Sequence, residues 1–365
     1  MRRLGLTEAR RIAIRAQLLD AQRPRDLLEV VERLTFLQVD PTSVIGPAAD
    51  LIAWSRLGDA YDPALLTAAL NRDHTLVELK SQPSTADFSV LMVRRVADLP
   101  LLRADMAAWP PPRLWDVREW LEANEGFRRR VLDQVRDAGP LAARDIPDTS
   151  EAAWRSSGWT GNRNVNQMLE FLAQRGEVAV AGRRDRERLW DLAERVYPQN
   201  MTIVPIDDAR RIRDERWLRA LGIARSRFVG DAGIPVEVEG TRKEWRLDPN
   251  ASAEGFEGRT AILSPFDRLT HDRVRALDLF GFDYTLEMYK PKERRRWGYF
   301  ALPVLHCDAL VGKVDATADR DAGVLRVNAI HQDVPFTAEL RAGVDGELDA
   351  LRQWLGLDRT QFVRA

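Results

Sequence analysis

The sequence predicts an α+β fold, and three regional patterns indicate it. Apolar residues recur at helical spacing through the first 109 residues, a helix–helix–hairpin pattern occupies residues 139–198, and strand-like segments dominate after residue 260. The 365 residues suffice for two or three domains, and a hydrophobic share of 45% supplies their cores. A charged share of 30% on such a chain is typical of a folded protein with a hydrated surface.

Two amphipathic helices are expected at the start of the chain, separated by Pro24. Their inward faces carry apolar residues three and four positions apart, which are Ile12, Ala13, Ala16 and Leu19, then Leu27, Leu28, Val31 and Leu34. The second helix leads into residues 36–41, where Pro41 stops or redirects the chain.

The pattern over residues 139–198 is typical of a winged helix. A short helix is expected to open at Gly139, and a second helix spans residues 164–175 and ends at Gly176. Two strands follow, at residues 178–180 and 188–191, around a basic turn. A winged helix of this kind can bind nucleic acid, or it can be a purely structural module.

A weaker version of the same pattern follows, and the chain then becomes rich in strands. A helix at residues 215–222 precedes two strand-like segments, which predicts a degenerate winged helix. Beyond residue 260, we expect four strands and a final helix, at residues 284–289, 297–304, 309–315, 323–329 and 347–355. The basic run at residues 290–296 lies between the first two of these strands and is expected to tip a β-hairpin.

Composition limits the function classes. No apolar stretch is long enough to span a membrane, and a single cysteine, Cys307, suits a reducing compartment, so we expect a cytoplasmic protein. The net charge of −1 does not attract DNA by itself, so any DNA-binding surface must be a local cluster of basic groups. The sequence has no nucleotide-binding glycine motif, so we expect no nucleotide cofactor. Its histidines are dispersed, so we expect no metal site; they are His74, His271, His306 and His331.

Three segments together resemble the YcaQ-like family of bacterial winged-helix DNA glycosylases, which includes enzymes that act on bulky alkylation damage and interstrand crosslinks. They occur in the family's order and span most of the chain. They are Leu34-Thr35-Phe36-Leu37-Gln38-Val39-Asp40-Pro41, then Gly182-Arg183-Arg184 with Arg188-Leu189-Trp190-Asp191, and finally Leu263-Ser264-Pro265-Phe266-Asp267-Arg268-Leu269 with Tyr284–Tyr289 and Gly298–Pro303.

The resemblance implies three tandem winged-helix units and a C-terminal β-barrel-like domain, curved around duplex DNA. The corresponding ranges are 1–109, 113–198 and 199–259 for the three units, of which the last is degenerate, and 260–365 for the C-terminal domain with its basic hairpin. The resemblance also implies that Gln38 and Asp40 are catalytic. The Gln-apolar-Asp form places the chain with the branch that unhooks crosslinks and accepts a broad range of substrates.

One position departs from the family pattern. Relatives commonly carry a histidine shortly after the glutamate that corresponds to Glu78, whereas this chain continues to Gln82 without one. If that histidine holds DNA or the catalytic loop, this protein is expected to differ from its relatives in rate or substrate.

Gln38 and Asp40 are residue types that can suffice for excision of a cationic base. Alkylation at N7 makes guanine a good leaving group, so one carboxylate to stabilise the sugar cation and to deprotonate water, and one amide to orient that water, are sufficient. The alternative is structural, with Asp40 capping a turn before Pro41 and Gln38 satisfied in the fold. No lysine lies near the motif in sequence, the nearest being Lys80, which predicts a monofunctional enzyme without lyase activity.

Clustered cations are the candidate DNA contacts. They are Arg163 before the second helix of residues 139–198, Arg183, Arg184 and Arg186 at the tip of its hairpin, and Lys290, Lys292, Arg294, Arg295 and Arg296 in the basic run. The alternative is that residues 290–296 form a solvent-exposed turn that does not contact DNA.

Two other functions remain open from the sequence. A winged-helix transcription regulator, or a damage sensor without catalysis, would share the DNA-binding features and would tolerate loss of Gln38 and Asp40. For the enzyme we expect a monomer that binds duplex DNA carrying alkylated or crosslinked guanine, with no obligate protein partner.

Overall fold

The computed structural model describes residues 2–80, 90–155, 163–185 and 187–363. Its α-helices in chain order are α1 Leu6–Ala16, α2 Leu27–Leu34, α3 Ala48–Leu57, α4 Pro63–Asn71, α5 Arg103–Ala107, α6 Trp115–Ala123, α7 Glu125–Ala138, α8 Asn164–Gln174, α9 Ala193–Val196, α10 Ile206–Leu221, α11 Ser226–Val229, α12 Arg268–His271, α13 Arg273–Phe280 and α14 Ala338–Trp354. Its strands are β1 Arg2–Leu4, β2 Leu37–Val39, β3 Leu76–Lys80, β4 Leu91–Arg95, β5 Leu141–Ala142, β6 Val178–Arg184, β7 Glu187–Leu192, β8 Ile223–Arg225, β9 Ile234–Val238, β10 Trp245–Leu247, β11 Thr260–Ile262, β12 Ala301–His306, β13 Ala309–Asp319, β14 Val324–Gln332 and β15 Arg359–Phe362.

The chain forms two compact units. The terminal unit comprises Met1–Leu65 and Arg213–Ala365, and the central unit comprises Leu66–Ile212. No helix in the described ranges is both long enough and apolar enough to cross a membrane.

Two sheets organise the terminal unit. In the first, the order is β1-β9-β10-β8, and β1 runs parallel to β9 with Arg2 opposite Val236. The second is a five-stranded sheet in the order β11-β12-β13-β14-β15, antiparallel except for the final pair, and α14 packs against it. A shared core joins the N-terminal helix to both sheets, because Ile12 and Leu19 are buried in one cluster with Trp245 and Leu305.

The central unit carries the predicted helix-and-hairpin pattern. Helices α7 and α8 precede β6 and β7, which pair antiparallel, and β5 joins them in the order β5-β7-β6. The prediction of a short helix that opens at Gly139 is wrong. Residues 141–142 form strand β5 instead, and a three-residue 3-10 helix, Ala143–Asp145, follows it. The chain extends there because Leu141 pairs with Trp190 of β7.

An aromatic cluster and the buried Asn164 hold the helices of the central unit. The ring of Phe171 on α8 lies 5.3 Å from that of Trp109 and 5.2 Å from that of Trp154. The side-chain amide of Asn164 accepts a hydrogen bond from the backbone N–H of Trp154 and donates to Asp148 and Ser150, so the start of α8 is tied to the segment that precedes it.

The expected hairpin at the basic run is wrong. Residues 284–289 do not form a strand, and the run contains only a 3-10 helix, Lys292–Arg294, before the chain enters β12 at Ala301. Strands β13 and β14 and helix α14 are present as predicted, although each is longer than the sequence pattern indicated.

Candidate functional site

The Gln-x-Asp motif lies at the end of a short strand in the terminal unit. Gln38 is in β2 and is 8% exposed, and Asp40 follows the strand and is half-buried. Because side chains alternate along an extended segment, Gln38 and Asp40 are expected to point to the same face. The amide of Gln38 has no hydrogen-bond partner within the described ranges.

Asp40 forms a turn across Pro41. Its Oδ1 accepts a hydrogen bond from the backbone N–H of Thr42 at 2.9 Å, and the described residues offer its Oδ2 no hydrogen bond. The same Asp-Pro turn recurs at Asp62, whose Oδ1 accepts from the N–H of Ala64 at 2.8 Å, but Asp62 is fully on the surface. The turn itself is therefore a local structural device, and the half-buried position beside Gln38 distinguishes Asp40.

The segment just before β2 is held by a buried arginine. Arg268 donates from Nη1 to the carbonyl of Leu34 at 2.7 Å and to the hydroxyl of Thr35 at 2.8 Å. Its guanidinium carbon lies 4.3 Å from the ring centre of Phe36 and 4.2 Å from that of Trp217 on α10. Thr35 ends α2 with a φ of 68°, a left-handed conformation that a β-branched residue rarely adopts without support from its surroundings.

A second buried arginine fixes the residue next to Arg268. Arg56 and Asp267 form a two-pronged ion pair in which both side chains are 0% exposed, with Nη2 lying 3.0 Å from Oδ1. Asp267 also caps α12 by accepting a hydrogen bond from the N–H of Leu269 at 2.9 Å. Local sequence patterns assign no role to Arg56, Asp267 or Arg268, and only the family resemblance includes the last two.

The basic run forms a loop around a buried carboxylate. Glu287 accepts hydrogen bonds from Lys290 Nζ at 2.8 Å and from the backbone N–H groups of Arg296 and Trp297 at 2.6 and 2.8 Å. Burial raises the pKa of Glu287, but these hydrogen bonds outweigh that effect and hold the pKa below its usual value. This carboxylate, which sequence reasoning missed, is the physical reason that the run closes into a loop and not a hairpin.

The cations of this loop differ in their availability. Lys290 pairs with Glu287, Arg296 lies 3.4 Å from Asp283, and Arg295 stacks over the ring of Tyr299 at 4.9 Å. Lys292 and Arg294 are exposed, and within the described residues neither has an acidic partner.

The predicted cations of the central unit are only partly free. Arg163 is exposed at the start of α8, whereas Arg183 is paired with the buried carboxylate of Glu78. Arg184 pairs with Asp145, and this hydrogen bond lowers the pKa of Asp145. Arg186 and Gln82 lie outside the described residues.

The family model described as DNA glycosylase AlkZ-like matches residues 31–233 and 227–354. This match covers most of the chain, so the protein is a DNA glycosylase. It belongs to the AlkZ-like DNA glycosylase family, and the resemblance seen in the sequence is confirmed. Among solved structures, the Streptomyces sahachiroi DNA glycosylase AlkZ matches with a TM-score of 0.63 and 20% identity over 100% of both chains. That likeness concerns the fold and confirms the mixed α and β architecture.

Breaking the buried Arg56–Asp267 pair is expected to destabilise the terminal unit strongly. Removing one partner from a buried pair leaves an uncompensated charge, so Asp267→Ala should lower the free energy of unfolding by about 3–5 kcal/mol. Urea unfolding followed by tryptophan fluorescence measures this change. The control is Asp345→Ala, which breaks the exposed Arg341–Asp345 pair and should cost at most about 1 kcal/mol. Equal losses in the two variants would contradict the assignment.

Glu287 is expected to stabilise the basic loop in a pH-dependent way. Its pKa is lowered in the folded protein, so its stabilisation is present above the unfolded pKa of about 4.3 and is lost as the pH falls through the folded value. The difference in unfolding free energy between wild type and Glu287→Gln should therefore be constant near pH 7 and shrink below about pH 4. Glu293→Gln, in the same loop but exposed, should show no such difference; a pH-independent effect of Glu287→Gln would refute the role.

Proposed function

We propose that this glycosylase hydrolyses the N-glycosidic bond of bulky N7-alkylguanine in duplex DNA and unhooks interstrand crosslinks, with Asp40 and Gln38 at the catalytic centre. The observation that carries the proposal is the carboxylate of Asp40, which is half-buried two residues after the buried Gln38, with Oδ1 held by Thr42 and Oδ2 left open within the described residues.

The chemistry follows from the charge on the lesion. N7-alkylguanine already carries a positive charge, so it leaves without a strong general acid, and the reaction generates an oxocarbenium-like sugar. Asp40 stabilises that cation and accepts a proton from the attacking water, and Gln38 orients the water. The C1′–N9 bond breaks with its electron pair going to the base, and the water oxygen forms the new bond to C1′.

We propose a monofunctional enzyme that leaves an abasic site. Lyase chemistry needs an amine nucleophile, and the lysine nearest to the motif in sequence is Lys80. Of the lysines in the terminal unit, Lys313 is buried and paired with Asp333, at 2.6 Å from Oδ2. A covalent enzyme–DNA adduct trapped by borohydride would contradict this assignment.

Two regions are proposed to grip DNA. In the central unit, α7, α8 and the β5-β7-β6 sheet support a winged-helix interpretation, in which Arg163 precedes the recognition helix and Arg183 and Arg184 lie in the wing. Arg186, which is outside the described residues, is proposed from the sequence alone as a further DNA contact. A degenerate winged helix is proposed at residues 199–259, and in the terminal unit the loop of Lys290, Lys292, Arg294, Arg295 and Arg296 supplies further phosphate contacts. Such contacts carry little sequence information, which suits a repair enzyme that works as a monomer on chromosomal DNA in the cytoplasm.

Asp40→Asn should abolish most excision while preserving the turn, because the asparagine Oδ1 still accepts from Thr42. Loss of a positioned base typically lowers the rate by ~10²–10⁴-fold. We would measure single-turnover excision on a duplex with one N7-alkylguanine, detecting the abasic site by alkaline strand cleavage.

The matched control is Asp62→Asn, which makes the same change in the exposed Asp-Pro turn and should leave the rate unchanged. A folded Asp40→Asn enzyme with the wild-type rate would overturn the catalytic assignment. Binding of DNA without excision by the wild type, on this lesion and on a nitrogen-mustard crosslink, would favour a damage sensor.

The free cations of the basic loop should contribute directly to DNA affinity. Reversing Lys292 and Arg294 to Glu should weaken binding, and removing two phosphate contacts should reduce the slope of log K against log salt by about 2. A double reversal of Arg25 and Arg341, both engaged in exposed ion pairs elsewhere, matches the change in net charge. Equal salt slopes for the two double variants would exclude a specific role for the loop.

A further inference from the structure

We propose that Arg268 is a positioning residue that sets the location of Gln38 and Asp40; the inference rests on the catalytic role proposed above for that pair. Arg268 is 4% exposed and lies 230 positions beyond Gln38 in the chain (268 − 38). It contacts the three residues that immediately precede β2, namely Leu34, Thr35 and Phe36.

The geometry of these contacts requires a guanidinium group. One nitrogen, Nη1, donates to two acceptors at once, the carbonyl of Leu34 at 2.7 Å and the hydroxyl of Thr35 at 2.8 Å. The planar group also lies within 4.3 Å of the ring centres of both Phe36 and Trp217. A lysine retains the charge but lacks the flat surface that stacks on aromatic rings, so lysine cannot reproduce the set.

The clamped segment is short and close to the reacting groups. Thr35 ends α2 in a left-handed conformation, with a φ of 68°, and the chain then passes through the buried residues Phe36 and Leu37 to Gln38. A shift at Thr35 is therefore expected to move β2 and the Asp40 turn, because only two buried residues separate Thr35 from Gln38. Positioning errors of about 1 Å can cost 10²-fold in rate when a catalytic group must meet a bound substrate.

Arg268 is itself held in place from the neighbouring position. Asp267 is anchored by its buried pair with Arg56 and by capping α12, so the backbone that carries Arg268 cannot shift freely. The hydroxyl of Thr270 also donates to the carbonyl of Asp267, at 3.3 Å, which tightens the same turn. The backbone that carries Arg268 is therefore held in place by contacts that are independent of residues 34–36.

The test uses Arg268→Lys in the full-length protein, with Arg275→Lys as the matched control. Arg275 is equally buried and donates to the backbone carbonyls of Ile223, Leu269 and Leu221, but it does not contact residues 34–36. Thr35→Ala, which removes one acceptor and leaves Arg268 in place, is the milder variant if Arg268→Lys fails to fold.

Two readouts separate positioning from general stability. The first is amide hydrogen exchange over residues 34–42, which reports on the clamp without requiring activity. The second is the single-turnover excision rate at saturating DNA, together with the DNA dissociation constant. We expect Arg268→Lys to exchange faster over this segment and to lose about 10- to 100-fold in rate, with the dissociation constant within about twofold of wild type. Thr35→Ala should shift in the same direction by less, and Arg275→Lys should match wild type in both readouts despite a lower melting temperature.

Each contrary result has a distinct meaning. Unchanged exchange over residues 34–42 in Arg268→Lys overturns the clamp, whatever the activity. Faster exchange with an unchanged rate overturns the positioning role while leaving the clamp in place. If Asp40→Asn keeps full activity, the proposed catalytic pair fails instead, and the exchange result alone then decides whether Arg268 holds this strand.

Discussion

The buried ion pair between Arg56 and Asp267 is the constraint on which the terminal unit depends. Both side chains are fully excluded from water, and two such charges are tolerable only when each satisfies the other. Arg56 also donates to the carbonyl of Gln17 at 3.1 Å and to the hydroxyl of Ser55 at 2.8 Å. One guanidinium group therefore joins the residues that follow α1, the end of α3 and the start of α12.

Arg268, the residue after Asp267, links this buried ion pair to the proposed catalytic residues. Arg268 reaches from the anchored turn to the residues before β2, which contains Gln38 and is followed directly by Asp40. The proposed catalytic pair provides only two functional groups, one carboxylate and one amide. The excision rate should therefore depend strongly on the exact positions of these two side chains. A rigid buried network holds such positions more accurately than an exposed loop would.

The sequence pattern predicted the elements that are governed by local periodicity. Helix α8 and the β6–β7 hairpin follow from apolar spacing and from Gly176, and β13, β14 and α14 follow in the same way. The basic run was mispredicted because one buried carboxylate, Glu287, gathers the backbone N–H groups of Arg296 and Trp297. Alternation along the chain gives no sign of where a glutamate will be buried.

Long-range partners were equally invisible in the sequence. No local pattern indicates that β1 pairs with β9, or that Arg56 meets Asp267 across 211 positions. The role of Gln38 and Asp40 is predicted through resemblance, because an aspartate before a proline is also explained by a purely structural turn. The Asp-Pro turn at Asp62 illustrates that ambiguity within the same chain.

We propose that one carboxylate with an orienting amide suffices for excision because the lesion itself carries a positive charge. The most direct test compares excision of a cationic base, N7-methylguanine, with excision of a neutral one, O6-methylguanine, in the same duplex under single-turnover conditions. We expect excision of the cationic base and none of the neutral base above the uncatalysed background. Comparable rates for the two bases would contradict it, because release of a neutral guanine requires a general acid that the proposed pair does not provide.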